Sequence, residues 1–467
     1  MTKNRIYLFI LTVVFGVAFC AAAATRASAQ TLITLFSFDG TNGTQPVAAL
    51  IQGFDGNFYG TTDSGGGNNG GTVFSVSTGG AMTTLYNFCN QPTCADGSLP
   101  RGGVVQASDG NFYGTTYQGG FHNRGTVFRI TPGGTLTTLH SFGGINGANP
   151  PAALVQGVDG DLYGTTYEDG AKGNYGTIFK ITLSGKLTTL HSFDGTDGAD
   201  PLGALVQGLD GNLYGTTANG GTQKLGTVFK ITPSGTLTTL WNFDLTHGAY
   251  PVGLVQAADG HLYGITELGG DNNAGTVFKI STGGTLMTLL SFDATYGAYP
   301  EAALVQATDG SFYGTTGGGG SSRCNAGCGA VFKITSRGKL TPLHRFVETD
   351  GSNPYGSLIQ GTNGSFYGTT YTGGSSNSGT VFNLSLGLGS FVRTQTTSGK
   401  VGATVIILGT NLTGSTSVTF NGTAAAFTVV SDSEITATVP SGATSGLVSV
   451  TTPGGVLNSN QSFQVKP

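Results

Sequence analysis

Short runs of apolar and polar residues, separated by glycine-rich turns, dominate this chain. In the unit 202–243 the runs are "GALVQG", "NLYGTT", "GTVFKIT" and "TLTTLWNF", all rich in β-branched and aromatic residues. None shows the 3.6-residue apolar stripe of an amphipathic helix. The pattern predicts four antiparallel strands, A to D, with a two-residue hairpin turn at Asp210 and Gly211 between A and B.

This unit recurs seven times. The phrase "DGNLYGTTANGG" at 210–221 has near-copies about every 50 residues, with two longer intervals of 54. The copies open at Asp55, Asp109, Asp159, Asp210, Asp259, Asp309 and Asn363. A single unit cannot fold alone, because its apolar contacts stabilise it by less than the conformational entropy that folding removes. Consecutive units are therefore expected to pack on one another.

The ends of the repeat region predict a closed ring. Residues 31–38 form a D-type strand with no unit ahead of it, and the repeats end at 379–385 in a C-type strand with no D strand behind it. If the first strand completes the last sheet, no sheet edge stays open. We therefore predict an all-β fold, a seven-bladed β-propeller over 31–385 that is closed by the N-terminal strand.

The repeated phrase is interpreted as scaffold. Tyr214 and its equivalents are expected to fill the space between sheets, and Gly215 to avoid a collision with the adjacent sheet. The threonine pair that follows has high strand propensity and can bond within the sheet. The B–C loops and D–A crossings are expected to share one rim, where the B–C loops vary most, so this rim is the predicted working face. The first B–C loop residue is, in order, Asp63, Tyr117, Tyr167, Ala218, Glu267, Gly317 and Tyr371.

Two parts of the chain resemble known families. The repeat text, with "YG" and "VF" in every copy, is similar to the GloVer tandem repeat of choice-of-anchor secreted bacterial proteins, over 31–385. That resemblance implies export and a repeat scaffold, and it brings no catalytic residues. Residues 390–467 resemble the IPT/TIG immunoglobulin-like domain in "VTFNG", "ITATVP" and "TPGG". Such a small β-sandwich is expected to act as a spacer or dock.

Residues 1–29 have the pattern of a secretory signal peptide. Lys3 and Arg5 precede a long apolar run, and "ASA" at 27–29 is a small-residue cleavage site. A lipoprotein signal at Cys20 is the alternative, but a phenylalanine precedes that cysteine where a small residue is needed. We therefore expect a secreted or cell-surface protein.

Charge and composition narrow the range of partners. Removing the signal takes away three basic residues, so the net charge of −4 becomes −7, and only 9% of all residues are charged. A basic patch for nucleic acid is therefore not expected. After the signal, the sequence shows no apolar run long enough to span a membrane.

Four cysteines follow the signal as two local couples, Cys89 with Cys94 and Cys324 with Cys328. Each couple lies in one of the two longer intervals. Export to an oxidising compartment predicts two loop disulfides. A zinc site would need both couples to meet in space, and it is the alternative.

Catalytic motifs are missing from the sequence: it contains no HExxH, Gly-x-Ser-x-Gly or phosphate-binding loop. His140, His191 and His344 share a D-strand position that holds other bulky residues elsewhere, which indicates packing. The aspartates of "DGTDGADP" at 194–201 could ligate calcium, but equivalent crossings keep only Gly and Pro, which favours a turn. No catalytic residue, metal or cofactor is predicted.

Aromatic residues expected at the rim are the leading candidates for ligand binding, because flat rings stack on sugars and anchor protein contacts. The candidates are Tyr117, Phe121, Tyr167, Tyr175, Tyr250, Tyr296, Tyr299 and Tyr371. The alternative is that these rings cap the sheet ends. We predict an exported, non-enzymatic binding or surface-interaction protein whose partner is a polysaccharide or a cell-surface protein. The rival functions are a structural envelope component and an extracellular lyase or hydrolase using Asp63, Glu168, Asp169 and Glu267.

Overall fold

The computed structural model describes residues 30–293, 295, 297–320, 324 and 327–466. The predicted signal peptide and Tyr296 lie outside the described residues. The regular structure described consists of β-strands and one short 3₁₀ turn, Pro92–Cys94. In this part of the chain no helix is long and apolar enough to cross a membrane.

Seven four-stranded antiparallel sheets form between residues 31 and 385 of the described chain. The N-terminal strand is β1 (Thr31–Ser37). Sheet 1 contains β2 (Ile51–Gln52), β3 (Phe58–Thr62), β4 (Thr72–Val76) and β5 (Met82–Asn87). Sheet 2 contains β6 (Val104–Gln106), β7 (Phe112–Thr116), β8 (Thr126–Ile130) and β9 (Leu136–Ser141). Sheet 3 contains β10 (Val155–Gln156), β11 (Leu162–Thr166), β12 (Thr177–Ile181) and β13 (Leu187–Ser192).

The remaining sheets repeat this order. Sheet 4 contains β14 (Val206–Gln207), β15 (Leu213–Thr217), β16 (Thr227–Ile231) and β17 (Leu237–Asn242). Sheet 5 contains β18 (Ala249–Gln256), β19 (Leu262–Leu268), β20 (Thr276–Ile280) and β21 (Leu286–Ser291). Sheet 6 contains β22 (Val305–Gln306), β23 (Phe312–Thr316), β24 (Ala330–Ile334) and β25 (Leu340–Arg345). Sheet 7 contains β26 (Ile359–Gln360), β27 (Phe366–Thr370), β28 (Thr380–Ser385) and β1.

The N-terminal strand pairs with the end of the repeat region, as the sequence predicted. β1 is antiparallel to β28, with Thr31 opposite Ser385 and Ser37 opposite Thr380. The fourth strand of sheet 7 therefore comes from the other end of the repeat region.

A hydrogen bond of one kind joins each sheet to the next. The glutamine that ends each first strand accepts, through Oε1, a backbone N–H from the A–B turn of the preceding sheet, at 2.8 to 3.0 Å. The donor and acceptor pairs are Phe54 with Gln106, Ser108 with Gln156, Val158 with Gln207, Leu209 with Gln256, Ala258 with Gln306, Thr308 with Gln360 and Thr362 with Gln52. The last bond joins sheet 7 to sheet 1, so the series closes on itself.

The repeated phrase packs as scaffold. Tyr214 is fully buried in a cluster that includes Leu254 and Phe278 of the following sheet. Its hydroxyl donates to Asp210 Oδ2 at 2.7 Å, so the buried phenol has a hydrogen-bond partner. The second threonine of the pair, Thr217, bonds within its own sheet. Tyrosines at this position therefore fill the space between sheets, as predicted.

The A–B turn differs from the predicted two-residue hairpin. Gly208 donates to the carbonyl of Asn212 at 2.8 Å, so three residues form the loop. Within the loop only Gly211 has a left-handed backbone, with φ +83°. Asp210 lies outside that region, and its Oδ1 accepts the N–H of Asn212 at 3.1 Å. The aspartate therefore fixes the turn through its carboxylate and not through a positive φ.

The reason for Gly215 is also different from the prediction. A Cβ at this position would lie 2.5 Å from Cζ of Phe229 and 2.9 Å from Cδ2 of Leu205. Phe229 belongs to the same sheet as Gly215, and Leu205 immediately precedes the first strand of that sheet. The glycine therefore makes room for the core of its own sheet, and not for the adjacent one.

The two predicted disulfides are present. Cys89 bonds to Cys94 and Cys324 bonds to Cys328, each within its own loop. The zinc alternative for these cysteines is therefore wrong.

Residues 392–466 form two more four-stranded sheets and one parallel strand pair. The first sheet contains β29 (Arg393–Thr394), β31 (Thr404–Leu408), β35 (Glu434–Thr438) and β34 (Phe427–Val429). The second contains β33 (Thr423–Ala424), β32 (Ser417–Phe420), β36 (Val448–Thr452) and β37 (Gly455–Asn458). The pair is β30 (Ser398–Lys400) with β38 (Gln464–Lys466). Ile407, Ile435, Phe420 and Val450 from the two sheets share one buried core.

This C-terminal part contacts the A–B turns of the repeats. The N–H of Phe391 donates to the carbonyl of Thr362 at 2.9 Å, and Ser433 Oγ donates to the carbonyl of Phe54 at 2.7 Å. Thr362 and Phe54 belong to the A–B turns of sheets 7 and 1. The contacts therefore lie on the rim opposite to the B–C loops.

Candidate functional site

The B–C loops and the D–A crossings share one rim, as predicted. An antiparallel bridge joins crossing and loop in each repeat: Thr44–Ser64, Ser98–Gln118, Ala148–Glu168, Ala199–Asn219, Ala249–Leu268, Ala298–Gly318 and Ser352–Thr372. Each crossing also bonds to the preceding repeat, for example through the N–H of Asn149 to the carbonyl of Arg124 at 2.8 Å. The rim is therefore a continuous hydrogen-bonded structure.

The residue before the proline of each crossing has a left-handed backbone. The φ angles lie between +54° and +59° at Gln45, Leu99, Asn149, Asp200, Tyr250, Tyr299 and Asn353. This conformation is unfavourable for side chains other than glycine and asparagine, and it persists where neighbouring bonds enforce it. The carbonyl of Leu99, for instance, accepts the N–H of Tyr117 at 2.8 Å. These bonds fix the direction of the residue that follows the proline.

A cavity of about 590 Å³ opens at this rim, and every repeat lines it. Seven lining residues follow the crossing prolines: Val47, Arg101, Pro151, Leu202, Val252, Glu301 and Tyr355. Five more are first residues of B–C loops: Asp63, Tyr117, Tyr167, Glu267 and Tyr371. Because all seven repeats contribute equivalent positions, the cavity lies on their common axis. We call it the mouth cavity.

One side of the mouth cavity holds an ion pair on an aromatic ring. Arg101 Nε donates to Asp63 Oδ1 at 3.0 Å. The guanidinium carbon of Arg101 lies 4.2 Å from the centroid of the Tyr117 ring. A cation is therefore held between a carboxylate and a tyrosine face.

The side formed by repeats 5 and 6 holds two carboxylates instead. Burial and the nearby Glu267 raise the pKa of Glu301 to about 7, and burial raises the pKa of Glu267. Gly317 lies beside them, and a Cβ there would be 3.1 Å from Oε1 of Glu301 and 2.7 Å from the Tyr355 ring. The absence of a side chain at this position leaves space for both neighbours.

Two tyrosines of repeat 7 separate these two sides. The rings of Tyr355 and Tyr371 have centroids 5.2 Å apart and are tilted by 46°. Burial, and then the charge of Glu301, raise the pKa of Tyr355, and burial raises the pKa of Tyr371. Both phenols therefore remain protonated near neutral pH and can donate hydrogen bonds to a ligand.

The structure brings three of the predicted aromatic residues together at the mouth cavity, namely Tyr117, Tyr167 and Tyr371. Phe121 is 86% exposed at a loop tip, outside the cavity lining. Four further candidates do not line the cavity or are not described: Tyr175, Tyr250 and Tyr299 belong to the rim loops outside the lining, and Tyr296 lies outside the described residues.

Of the four carboxylates predicted for an enzyme, only two lie at the mouth cavity. Asp63 and Glu267 line the cavity, whereas Glu168 and Asp169 do not. Asp169 forms an ion pair with Arg124. The structure therefore does not bring this predicted set together.

The sequence reasoning missed Arg101, Glu301 and Tyr355. The sequence interpretation of the D–A crossing rests on its glycine and proline, and not on the residue after the proline. That position varies among the repeats as much as the first B–C loop position does. The same criterion of variation on a constant frame would have found it.

The histidines of the D strand have a hydrogen-bonding role that the sequence did not indicate. Nε2 of His191 lies 2.8 Å from Asp197 Oδ2, and Nε2 of His344 lies 3.0 Å from Asp350 Oδ2. Asp197 is thereby engaged in its own crossing. Across the described residues, no group of three or more His, Cys, Asp and Glu side chains could hold a metal ion.

The fold resembles several solved structures at low identity. An extracellular domain from Bacteroides thetaiotaomicron, of a protein described as a hybrid two-component system, has a TM-score of 0.51 and 12% identity, over 94% of this chain and 59% of that one. A second such domain from the same organism has a TM-score of 0.48 and 13% identity, over 94% and 58%. A gluconolactonase from Xanthomonas campestris has a TM-score of 0.40 and 14% identity, over 78% and 92%. This chain thus spans less than two thirds of the two extracellular domains, and the likeness shows the fold alone.

Sequence comparison gives a family but no individual relative. A search of curated proteins finds no match. The model of the Gloeobacter/Verrucomicrobia repeat matches residues 16–209, 90–255 and 202–430, which together span most of the chain. The resemblance drawn from the repeat text is thus confirmed, and the chain belongs to the Gloeobacter/Verrucomicrobia repeat family.

Proposed function

We propose that this chain is an exported, non-enzymatic binding protein. In this proposal the seven sheets are the blades of a closed β-propeller over 31–385, and residues 1–29 are removed on export. Residues 390–467 are an immunoglobulin-like domain of the IPT/TIG type that acts as a spacer or dock. The ligand is a small polyhydroxylated molecule, such as part of a glycan, that enters the mouth cavity. Two local disulfides support the extracellular part of the proposal, because disulfides persist in oxidising compartments.

The single observation that carries the proposal is the contrast between the frame and the cavity lining. The buried tyrosine of the repeated phrase is present in all seven repeats, as are the glycine after it and the glutamine that bonds to the preceding sheet. The cavity-lining positions instead carry aliphatic, aromatic, acidic and basic side chains. All repeats have the same structural requirements, so varied side chains around one shared cavity fit a ligand site assembled from many repeats.

The chemistry of the lining suits a ligand with hydroxyl groups and apolar faces. Tyr117, Tyr167, Tyr355 and Tyr371 offer flat rings for stacking and hydroxyls for hydrogen bonding. Carboxylates at the same mouth accept hydrogen bonds from ligand hydroxyls. A volume of about 590 Å³ lies in the usual range for small-molecule sites, roughly 300–1,000 Å³.

A glycan array followed by calorimetry tests the proposal. We expect the mature protein to bind a subset of glycans, and the double variant Tyr117→Ala/Tyr371→Ala to bind them about thirtyfold more weakly. Two lost ring contacts at about 1 kcal/mol each give that factor. Phe121→Ala is the matched control, since it removes an exposed aromatic residue outside the cavity.

Two results would contradict the proposal. Glycan binding that the double variant leaves unchanged would exclude the mouth cavity as the site. If the protein bound no ligand, the result would favour a structural envelope component, which needs no discrete ligand.

A second candidate function is acid–base catalysis on the bound ligand, by a lyase or hydrolase. Glu267 and Glu301 are neighbours, and the raised pKa of Glu301 near 7 suits a group that gains and loses a proton at neutral pH. Incubating array hits with wild type and with Glu301→Gln, followed by mass spectrometry, separates the two functions. A product that forms only with wild type would favour the enzyme, and intact ligand with both would favour binding.

A further inference from the structure

Equivalent positions in the repeats allow a comparison within the chain. The first B–C loop residue of repeat 1, Asp63, corresponds to Glu267 of repeat 5. The residue after the next crossing proline is Arg101 in repeat 2 and Glu301 in repeat 6. Where repeats 1 and 2 place a cation beside a carboxylate, at 3.0 Å, repeats 5 and 6 therefore place a second carboxylate.

Among the residues that the structure describes, no cation pairs with the two carboxylates in repeats 5 and 6. In the described part of the protein neither Glu267 nor Glu301 forms a side-chain hydrogen bond or an ion pair with a lysine or arginine. The remaining charged residues of the lining, Asp63 and Arg101, are already paired with each other. Two neighbouring carboxylates repel each other, so this side of the cavity carries an uncompensated negative potential.

An aromatic ring also lies beside the carboxylates of repeats 5 and 6, as one does beside Arg101. Arg101 stacks on Tyr117, whose equivalent in repeat 6 is Gly317. A Cβ at Gly317 would lie 2.7 Å from the ring of Tyr355, which belongs to repeat 7. Tyr371 lies next to it, at 5.2 Å between centroids. Two carboxylates and the Tyr355 ring therefore meet here, as a carboxylate and a ring do around Arg101, but no cation of the described residues pairs with them.

We propose that Glu267, Glu301 and Tyr355 bind the primary ammonium group of an amino sugar. The ammonium takes the place that the Arg101 guanidinium has on the other side: it donates hydrogen bonds to the carboxylates and lies against the Tyr355 ring. The hydroxylated ring of the sugar then extends toward Tyr117 and Tyr167 in the same cavity. This inference rests on the proposed function, because it names the ligand class of that site.

The test compares two probes that differ at the amino group, which is free in one and N-acetylated in the other. Calorimetry at pH 7 measures binding of a glucosamine tetramer and of its N-acetylated counterpart. We expect wild type to prefer the free amine, and Glu301→Gln and Glu267→Gln each to weaken binding of the amine about tenfold while changing that of the acetylated probe less than twofold. The tenfold loss corresponds to about 1.4 kcal/mol for one charge-assisted contact in a solvated cavity.

Glu168→Gln is the control, since it neutralises a carboxylate of the same rim outside the cavity lining. Thermal midpoints of all variants verify that they fold, and removing one of two like charges is not expected to lower them. Equal binding of both probes, or a Glu301→Gln variant that binds the amine as wild type does, would overturn the inference while leaving the proposed function in place. Binding of neither probe would overturn the inference, whereas the glycan array decides the proposed function separately. Binding that survives Tyr117→Ala/Tyr371→Ala but not Glu301→Gln would retain the ammonium site and reject the stacking role of the tyrosines.

Discussion

The bond between Gln52 and Thr362 closes the series of sheets, and its removal should cost more than removal of an equivalent bond elsewhere. Gln52 Oε1 accepts the N–H of Thr362 at 3.0 Å, and its Nε2 donates to Thr362 Oγ1 at 3.2 Å. Thr362 is fully buried, and Gln52 is 7% exposed. The C-terminal part covers the turn, since Thr362 Oγ1 also lies 2.7 Å from Oγ1 of Thr410. Water therefore cannot replace a lost partner.

The variant Gln52→Met keeps the length of the side chain and removes these two hydrogen bonds together with a third, from Nε2 to the carbonyl of Gly56 at 3.3 Å. An orphaned buried N–H costs about 1–3 kcal/mol, so we expect the free energy of unfolding to fall by about 2 kcal/mol. The matched control is Gln306→Met. Gln306 accepts the N–H of Ala258 at 2.8 Å, but Ala258 is exposed, so water can satisfy the freed N–H. We expect that variant to lose only about 0.5 kcal/mol.

Urea unfolding followed by fluorescence of Trp241, the single tryptophan, measures both losses. Hydrogen exchange of the Thr362 amide measures the effect at the bond itself, and protection should fall in Gln52→Met alone. Equal losses in the two variants would refute the reasoning that burial under the C-terminal part makes this junction different. Unchanged exchange at Thr362 would show that the bond does not hold sheets 7 and 1 together.

Two further predictions concern the rim. Burial and the neighbouring Glu267 raise the Glu301 pKa to about 7, next to Tyr355 and across from the Asp63–Arg101 pair. Lowering the pH from about 8 to 6 protonates Glu301, and because the amine of the glucosamine tetramer gains its proton over the same range, the affinity of wild type is compared with that of Glu301→Gln. We expect the ratio of the two affinities to fall up to about tenfold. Calorimetry measures both proteins across this range, and a ratio that does not change with pH would contradict the assignment. Tyr299→Asn should stabilise the protein by about 1 kcal/mol, because asparagine tolerates φ +54° and its equivalent Asn353 donates Nδ2 to the carbonyl of Gly317 at 2.8 Å. In urea unfolding Tyr299→Ala should show no gain, and equal midpoints for the two variants would argue against strain at this position.

Much of the fold could be predicted because each repeat presents the same evidence again. The surplus strand at the start of the repeats predicted the pairing of β1 with β28. The geometry of the A–B turn was harder to predict, because the sequence Asp-Gly fits both a two-residue and a three-residue turn. The three-residue turn that forms needs a positive φ only at Gly211. For Gly215 the sequence could not show whether the crowding atoms belong to its own sheet or to the next one, since both bring aromatic rings close to it.

The candidate site was only partly predictable, because it depends on two positions that are far apart within a repeat and close together only across the rim. Asp63 is in repeat 1 and its partner Arg101 in repeat 2, at 3.0 Å, so reading one repeat at a time cannot reveal the pair. Aligning the repeats by structure makes such pairs comparable, and the comparison changes the meaning of Glu301. Taken alone, it is one more acidic residue on a rim that has several. Compared with Arg101 at the equivalent position, Glu301 replaces a cation with a carboxylate. The Asp63–Arg101 pair is neutral, whereas Glu267 and Glu301 form no ion pair with any lysine or arginine that the structure describes.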